Sequence, residues 1–223
     1  MKKVIFTSTI AIALSSISYA MTSKATAKSG LVFEGQFSVN ATPQNTFDYA
    51  KDNNTNTSSD ERNGGIGGGL FIGYDYAFNP NITVGGKVGY QYLYEVNYLK
   101  LDGTTHGDID VKLSMNNFPI LATWKYFFNS GWLIGADGGI VIQKWTVDGT
   151  DSTTSRTDNH SSQWNVAPML GVSGGYKWQN GLALTGSLSY IFGKSTDELS
   201  DSDDNNALAV WTLGINLSYT LPL

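Results

Sequence analysis

One stretch of the sequence, from Ile82 to Tyr98, alternates apolar and polar residues with a period of two. Every second residue is apolar or aromatic apart from one glycine, and the residues between them include a single large apolar side chain, Leu93. Successive side chains of a strand leave opposite faces, whereas a helix would spread both sets around its axis. The stretch is therefore a strand. Its seventeen residues exceed the roughly 9–11 that a tilted strand needs to cross hydrocarbon.

The alternation occurs eight times along the chain. The other runs with this pattern are 31–39, 65–78, 109–128, 132–143, 164–178, 182–192 and 209–223. Within 109–128 the apolar parity changes, which predicts a β-bulge at Asn116 and Asn117. Short turns rich in Asn, Ser and Gly are predicted at 79–81, 129–131 and 179–181. Longer polar loops are predicted at 41–63, 100–108, 148–162 and 194–206.

The volume of the side chains decides which face of the strands points outward. Eight strands enclose an interior just wide enough for side chains to fill. The apolar parity carries most of the aromatic residues, whereas the other parity is mostly Gly, Ala, Ser, Thr and Asn with a few charges. The apolar face is therefore predicted to contact lipid. The predicted fold class is all-β: a membrane-spanning antiparallel up-and-down β-barrel of eight strands, with long extracellular loops and short periplasmic turns. A soluble barrel with its apolar residues inside is the alternative.

The first residues have the features of a secretory signal peptide. Lys2 and Lys3 precede a mostly apolar, uncharged stretch over 4–14, and small residues follow up to Ala20, where cleavage is predicted. Ala27 is an alternative cleavage position. The predicted divisions of the chain are a signal peptide over 1–20, a short periplasmic segment over 21–29 and the barrel over 30–223.

Six charged residues of the inward parity fall near the short turns. They are Glu34, Asp75, Lys87, Lys125, Asp137 and Lys177. A buried charge without a partner is costly, so opposite signs on neighbouring strands are predicted to pair and to close the lumen. The alternative is a gate, in which re-pairing opens a narrow path for ions. Further from the turns, Glu95 and Lys112 are predicted to pair on adjacent strands.

No catalytic, cofactor-binding or metal-binding residues are predicted. His106 and His160 lie in predicted loops without an orienting partner on a strand. The acidic segment from Asp201 begins like a calcium loop, but Asn206 replaces the required glycine and Thr212 the closing glutamate. The chain has no cysteine and a net charge of −5, so neither disulfides nor binding of nucleic acid is expected.

The eight strands, the signal peptide and the unequal loop lengths resemble the small OmpA/OmpX-type and opacity-like outer-membrane barrels, over essentially the whole mature chain. The run 118–128 is similar to the mid-barrel strand of that group. The alternating residues up to Leu223 resemble the C-terminal signal that such proteins show to the barrel assembly machinery. The chain departs from that signal because it ends in Leu223 rather than an aromatic residue and carries Pro222.

Together these features predict a monomer in the outer membrane of a Gram-negative bacterium. Its expected partners are outer-membrane lipids, lipopolysaccharide, the barrel assembly machinery and an extracellular or host ligand bound by the loops. The expected function is that of a non-enzymatic surface protein that supports the envelope and mediates contact or adhesion. Two alternatives remain: a narrow ion-conducting pore gated by lumen salt bridges, and a lipid-modifying outer-membrane enzyme.

Overall fold

The computed structural model describes residues 26–42, 58–104, 107–151, 156–193 and 207–223. The predicted signal peptide, His106 and the predicted loop 194–206 lie outside the described residues. The strands are β1 (Gly30–Ala41), β2 (Ser58–Asn63), β3 (Gly65–Asn79), β4 (Ile82–Thr104), β5 (Gly107–Phe127), β6 (Trp132–Asp151), β7 (Arg156–Ser161), β8 (Asn165–Lys177), β9 (Leu182–Ile191) and β10 (Val210–Pro222). The described part of the chain contains no helix that could cross a membrane.

Eight of these strands close into an antiparallel ring, which confirms the predicted fold class. Around the ring the order is β1, β3, β4, β5, β6, β8, β9 and β10. β10 pairs back onto β1 from Gly30 opposite Pro222 to Ala41 opposite Trp211. A closed ring lets the backbone groups of the wall bond to one another, which is the condition for a sheet to cross hydrocarbon.

The outward face of the ring is apolar, as the alternation predicted. Leu70, Val166 and Ile215 expose 74%, 63% and 61% of their surface. Large apolar side chains on the other strands of the ring are similarly exposed. A continuous apolar surface of this kind is the lipid-facing band of a transmembrane barrel.

Aromatic side chains on this face form two belts. Near the short turns, Tyr176 is packed between Trp132 and Trp178, with ring centroids 5.8 and 5.4 Å away. Toward the end with the longer loops, the ring centroids of Tyr190 and Trp211 lie 4.4 Å apart. Such rings suit the two membrane interfaces, where an apolar ring body meets water.

Two of the short turns share one geometry and confirm the predicted three-residue connections. Gly131 and Gly181 have φ values of 89° and 93°. Their N–H groups donate to the carbonyls of Phe128 and Trp178 at 3.0 and 3.1 Å. This left-handed position favours glycine because a Cβ would crowd the backbone.

The predicted bulge at Asn116 and Asn117 is wrong. β5 pairs with β6 without a register shift over 109–127. Leu113 and Met115 therefore keep the inward parity, and both side chains are buried. The change of apolar parity in the sequence marks apolar side chains that turn into the lumen.

The irregularity lies on β4 instead. Its register with β5 shifts between Leu93 and Asn97, where Glu95 has a φ of 48°. Glu95 lies 3.0 Å from Lys112 across the β4–β5 pair, which confirms the pairing predicted for these two residues.

Three of the predicted loops are strand over part of their length. β4 and β5 remain paired to Thr104 opposite Gly107, within the predicted loop 100–108. β2 pairs with β4, and β7, which includes His160, pairs with β6. These segments lack alternation because strands beyond the bilayer need no apolar face, although their backbones still pair.

The described part of the predicted periplasmic segment lies against the short-turn end. The Ala27 N–H donates to the Pro80 carbonyl at 2.9 Å. Ala27 also packs on a small cluster made by Phe127, Leu133 and Ala183. Ala27, which precedes β1, therefore packs against the short-turn end of the lumen.

We predict that Gly181→Ala lowers the free energy of unfolding by about 1–3 kcal/mol, because it strains the left-handed turn. Its Cβ would lie 2.5 Å from the Thr220 carbonyl oxygen. Gly186→Ala is the matched control, since its Cβ would meet no atom closer than 3.9 Å. Urea unfolding in lipid vesicles measures both variants, and equal losses would contradict the turn's role.

Candidate functional site

The lumen brings together five of the six inward charges in two clusters. The Lys87 Nζ lies 3.1 Å from a carboxylate oxygen of Glu34 and 3.1 Å from one of Asp137. In the second cluster, the Lys125 Nζ lies 2.8 Å from Asp75. All five side chains are mostly buried, so each pair removes an unpaired charge from a low-dielectric interior.

The partners do not lie on neighbouring strands, which corrects the predicted pairing. Lys87 on β4 reaches Glu34 on β1 and Asp137 on β6, so each of these contacts skips one strand. Lys125 on β5 likewise skips β4 to reach Asp75 on β3. Side chains in so narrow a bore meet across its width as well as along its wall.

Glycines on the intervening strands make these contacts possible. Gly73 is opposite Lys87 in the register of β3 and β4, and Gly85 is opposite Asp75. A Cβ at Gly73 would lie 2.9 Å from the Lys87 Cβ, and one at Gly85 would lie 2.9 Å from Asp75 Oδ1. The missing side chains give the charged groups room to cross the lumen.

Lys177, the sixth predicted charge, is in a different position. Its Nζ donates to Thr220 Oγ1 at 3.0 Å and lies 5.1 Å from the centroid of the Phe127 ring. Within the described residues it forms no ion pair. It lies at the short-turn end of the lumen, at the last residue of β8.

A layer of amide side chains lies beyond the charges. Gln91 donates to Gln36 at 2.7 Å, and Asn117 donates to Gln91 at 3.3 Å. Asn216 donates to Ser187 at 2.9 Å on the other side of the barrel. These groups are neutral, and the layer lies between the ion pairs and most of the apolar side chains above it, although Leu121 is opposite Lys87.

The extracellular half of the lumen is filled by an apolar plug, which the sequence did not predict. Leu93, Met115, Val141 and Trp145 are members on β4, β5 and β6, and all are nearly inaccessible. The remaining members are Val96, Leu113, Leu121, Ala167, Met169, Ile191, Leu208 and Val210. The expectation of an interior made of small polar residues and charges is therefore wrong for this half of the barrel.

Gln143 fixes one part of the plug to the wall. Its Nε2 donates to the Leu208 carbonyl at 3.3 Å, and its Oε1 accepts from the Leu208 N–H at 2.6 Å. Both residues are fully buried. The Gln143 amide thus satisfies both backbone groups of Leu208, which precedes β10. These two bonds hold the Leu208 side chain in the plug.

A cavity of about 50 Å³ lies among the charges and extends to Lys177 and Thr220 at the short-turn end; Glu34, Asp75, Lys87, Lys125 and Asp137 are among its lining residues. This volume has room for a few water molecules. Several buried polar atoms of the described lumen have no protein partner, namely Thr83 Oγ1, Asn117 Oδ1, Thr123 Oγ1 and Asn216 Oδ1. The lower lumen is therefore polar and suited to water, whereas the plug above it is not.

No arrangement of the described side chains suggests metal chemistry, since none brings three His, Asp or Glu residues together as ligands. The chemistry available to the lumen is the exchange of ion-pair and hydrogen-bond partners.

We predict that Lys87→Met destabilises the barrel by about 3–5 kcal/mol, because two buried carboxylates lose their common partner. Lys112→Met, which breaks the more exposed pair with Glu95, is the matched control and should cost less than about 1 kcal/mol. Urea unfolding in vesicles compares the two, and similar losses would show that the lumen pair contributes no more than a surface pair.

No family model and no curated protein matches the sequence. Among solved structures, the fold is similar to Ail, the attachment invasion locus protein of Yersinia pestis, with 11% identity, a TM-score of 0.42, and 86% of this chain and 99% of that chain covered. It is also similar to Neisserial surface protein A, with 12% identity, a TM-score of 0.46, and 88% of this chain and 99% of that chain covered. The outer membrane protease OmpT from Escherichia coli is similar too, with 14% identity, a TM-score of 0.48, and 88% of this chain and 96% of that chain covered.

The architecture itself defines the class of protein. A ring of eight antiparallel strands, an apolar outward face, two aromatic belts and short turns at one end are the features of small bacterial barrels that cross the outer membrane. The chain is an outer-membrane β-barrel.

Proposed function

We propose that the protein is a non-enzymatic surface barrel that supports the envelope and contacts extracellular partners through a sheet above the bilayer. The observation that supports this is the strand pairing of β2, β4, β5, β6 and β7 beyond the aromatic belt. We call this sheet the platform. It consists of β2, β4 from Asn97, β5 up to Leu113, β6 from Val147, and β7.

The platform reaches well beyond the membrane. β4 continues for ten residues after Tyr94, a member of the outer belt, and at about 3.3 Å per residue this is roughly 30 Å of strand. On the opposite side of the ring, the β9–β10 pairing ends with Ile191 opposite Val210. Within the described residues, the paired strands therefore rise higher on the β4–β6 side of the barrel than on the β9–β10 side.

The platform has two edges at which a partner can add a strand. Within the described residues, β2 pairs only with β4, and β7 pairs only with β6. Their sequences, SSDERN and RTDNHS, are polar and charged, which keeps such edges soluble. An extended segment of another protein can bond to an edge of this kind through its main chain.

The lumen supports a structural role more than transport. The charge clusters favour ion conduction, because re-pairing of Lys87 or Lys125 would open a polar path through the lower lumen. The apolar plug opposes it, because a tightly packed and largely apolar section interrupts the column of water that an ion needs.

We predict that trimming the platform abolishes adhesion and leaves the barrel folded. Leu99 is opposite Val111, so replacing residues 100–110 by Asn-Gly joins them through a two-residue turn. Bacteria that display this variant should adhere to cultured epithelial cells no better than bacteria without the protein. A variant with 194–206 shortened by the same number of residues is the control. Equal loss in both, or loss in neither, would contradict a specific role of the platform.

We predict that the unaltered barrel gives no steady conductance steps in a planar bilayer, because the plug blocks the lumen. The double variant Leu93→Ser and Trp145→Ser should give small steps, since it removes apolar volume and admits water. Trp145→Phe, which keeps an apolar ring, is the control. Steady steps in the unaltered protein that disappear in Lys87→Met would favour the pore instead.

A further inference from the structure

A second pocket, of about 280 Å³, opens at the short-turn end of the barrel. Its lining includes Lys28, Lys177, Trp178, Asn180 and Thr220. We infer that this pocket binds a phosphate group, supplied by a phospholipid of the inner leaflet or as free phosphate in the periplasm.

The pocket is positively charged although the chain as a whole is acidic. Two lysines and no Asp or Glu line it, in a protein of net charge −5. The carboxylates of the neighbouring lumen are already engaged, because Glu34 and Asp137 pair with Lys87 and Asp75 pairs with Lys125. The pocket therefore offers its positive charge to a ligand.

Lys177 is the buried part of this site. Only 5% of its surface is exposed. Its ammonium group has three N–H donors, and Thr220 Oγ1 accepts one of them at 3.0 Å. A buried cation without an ionic partner is costly by several kcal/mol, so an anion that reaches it is stabilised.

Lys177 is also accessible from the pocket. Lys177 and Thr220 line both this pocket and the enclosed lumen cavity. Both residues therefore lie at the boundary between the two spaces, and a ligand in the pocket reaches this boundary without entering the lumen.

The other lining groups suit a phosphate at the depth of the headgroups. The Asn180 Oδ1 accepts from the Leu182 N–H at 3.0 Å, which leaves the amide nitrogen of Asn180 as a donor. Lysine binds phosphate as a point charge. Trp178 belongs to the aromatic belt at the short-turn end, and such rings mark the level of the lipid headgroups.

The test is phosphate titration of the full barrel in dodecyl maltoside, a detergent without phosphate, at constant ionic strength set with chloride. The amide signals of Asn180 and Gly181 and the indole N–H signal of Trp178 should shift in nuclear magnetic resonance spectra and saturate. Lys177→Met should weaken binding roughly tenfold or more, and Lys28→Ala should weaken it too. Lys112→Met, on the opposite side of the membrane, is the control and should bind as the unaltered protein does.

Lys177→Arg keeps the charge and should retain binding, which separates loss of the site from loss of the fold. Nanodiscs distinguish the two sources of phosphate. If the shifted signals are already present in phosphatidylglycerol discs and absent in galactolipid discs, the ligand is the lipid headgroup. If phosphatidylglycerol discs still respond to added phosphate as micelles do, the ligand is free phosphate. Shifts that do not saturate, or that persist unchanged in Lys177→Met and Lys28→Ala, overturn the proposal.

Discussion

The pairing of β10 with β1 is the interaction on which the rest of the structure depends. Hydrocarbon offers no hydrogen bonds, so each backbone group left open on a free edge within the bilayer would cost several kcal/mol. Closing the ring removes that edge. Closure with eight strands also fixes the width of the bore, and a bore of this width must be filled by side chains. The contents of the lumen are therefore a consequence of how the wall closes.

The lumen meets this requirement in layers with different chemistry. Near the short turns, ion pairs cross the bore, and glycines such as Gly73 give them room. The amide layer around Gln91 follows, and the apolar plug fills the extracellular half. The ion pairs satisfy one another's charges, whereas Asn117 Oδ1 and Asn216 Oδ1 of the amide layer have no protein partner within the described residues. Lys177 lies outside these layers, at the periplasmic opening.

The alternation predicted the parts of the fold that lipid controls. It gave the strands of the ring, the outward face and the short turns, because the bilayer demands an apolar side chain at every second position. It did not distinguish an apolar residue that faces lipid from one that faces the lumen, so the inward Leu113 and Met115 produce the wrong prediction of a bulge at Asn116 and Asn117. The platform was not predicted because strands beyond the bilayer need no apolar face, so its sequence shows no alternation. The partner of Lys87 was missed because closure of the ring, not local sequence, brings Glu34 and Asp137 within reach.

The unequal height of the described strands distinguishes two sides of the molecule within the plane of the membrane. A cylinder with a level rim looks the same to neighbours from every direction, but here the described strands β4 to β6 rise above the bilayer and shield one approach, whereas the described pairing of β9 and β10 ends lower. Saccharide chains of the surrounding outer leaflet would press against the tall side. Crowding at the cell surface would then favour particular rotations of the barrel about its axis.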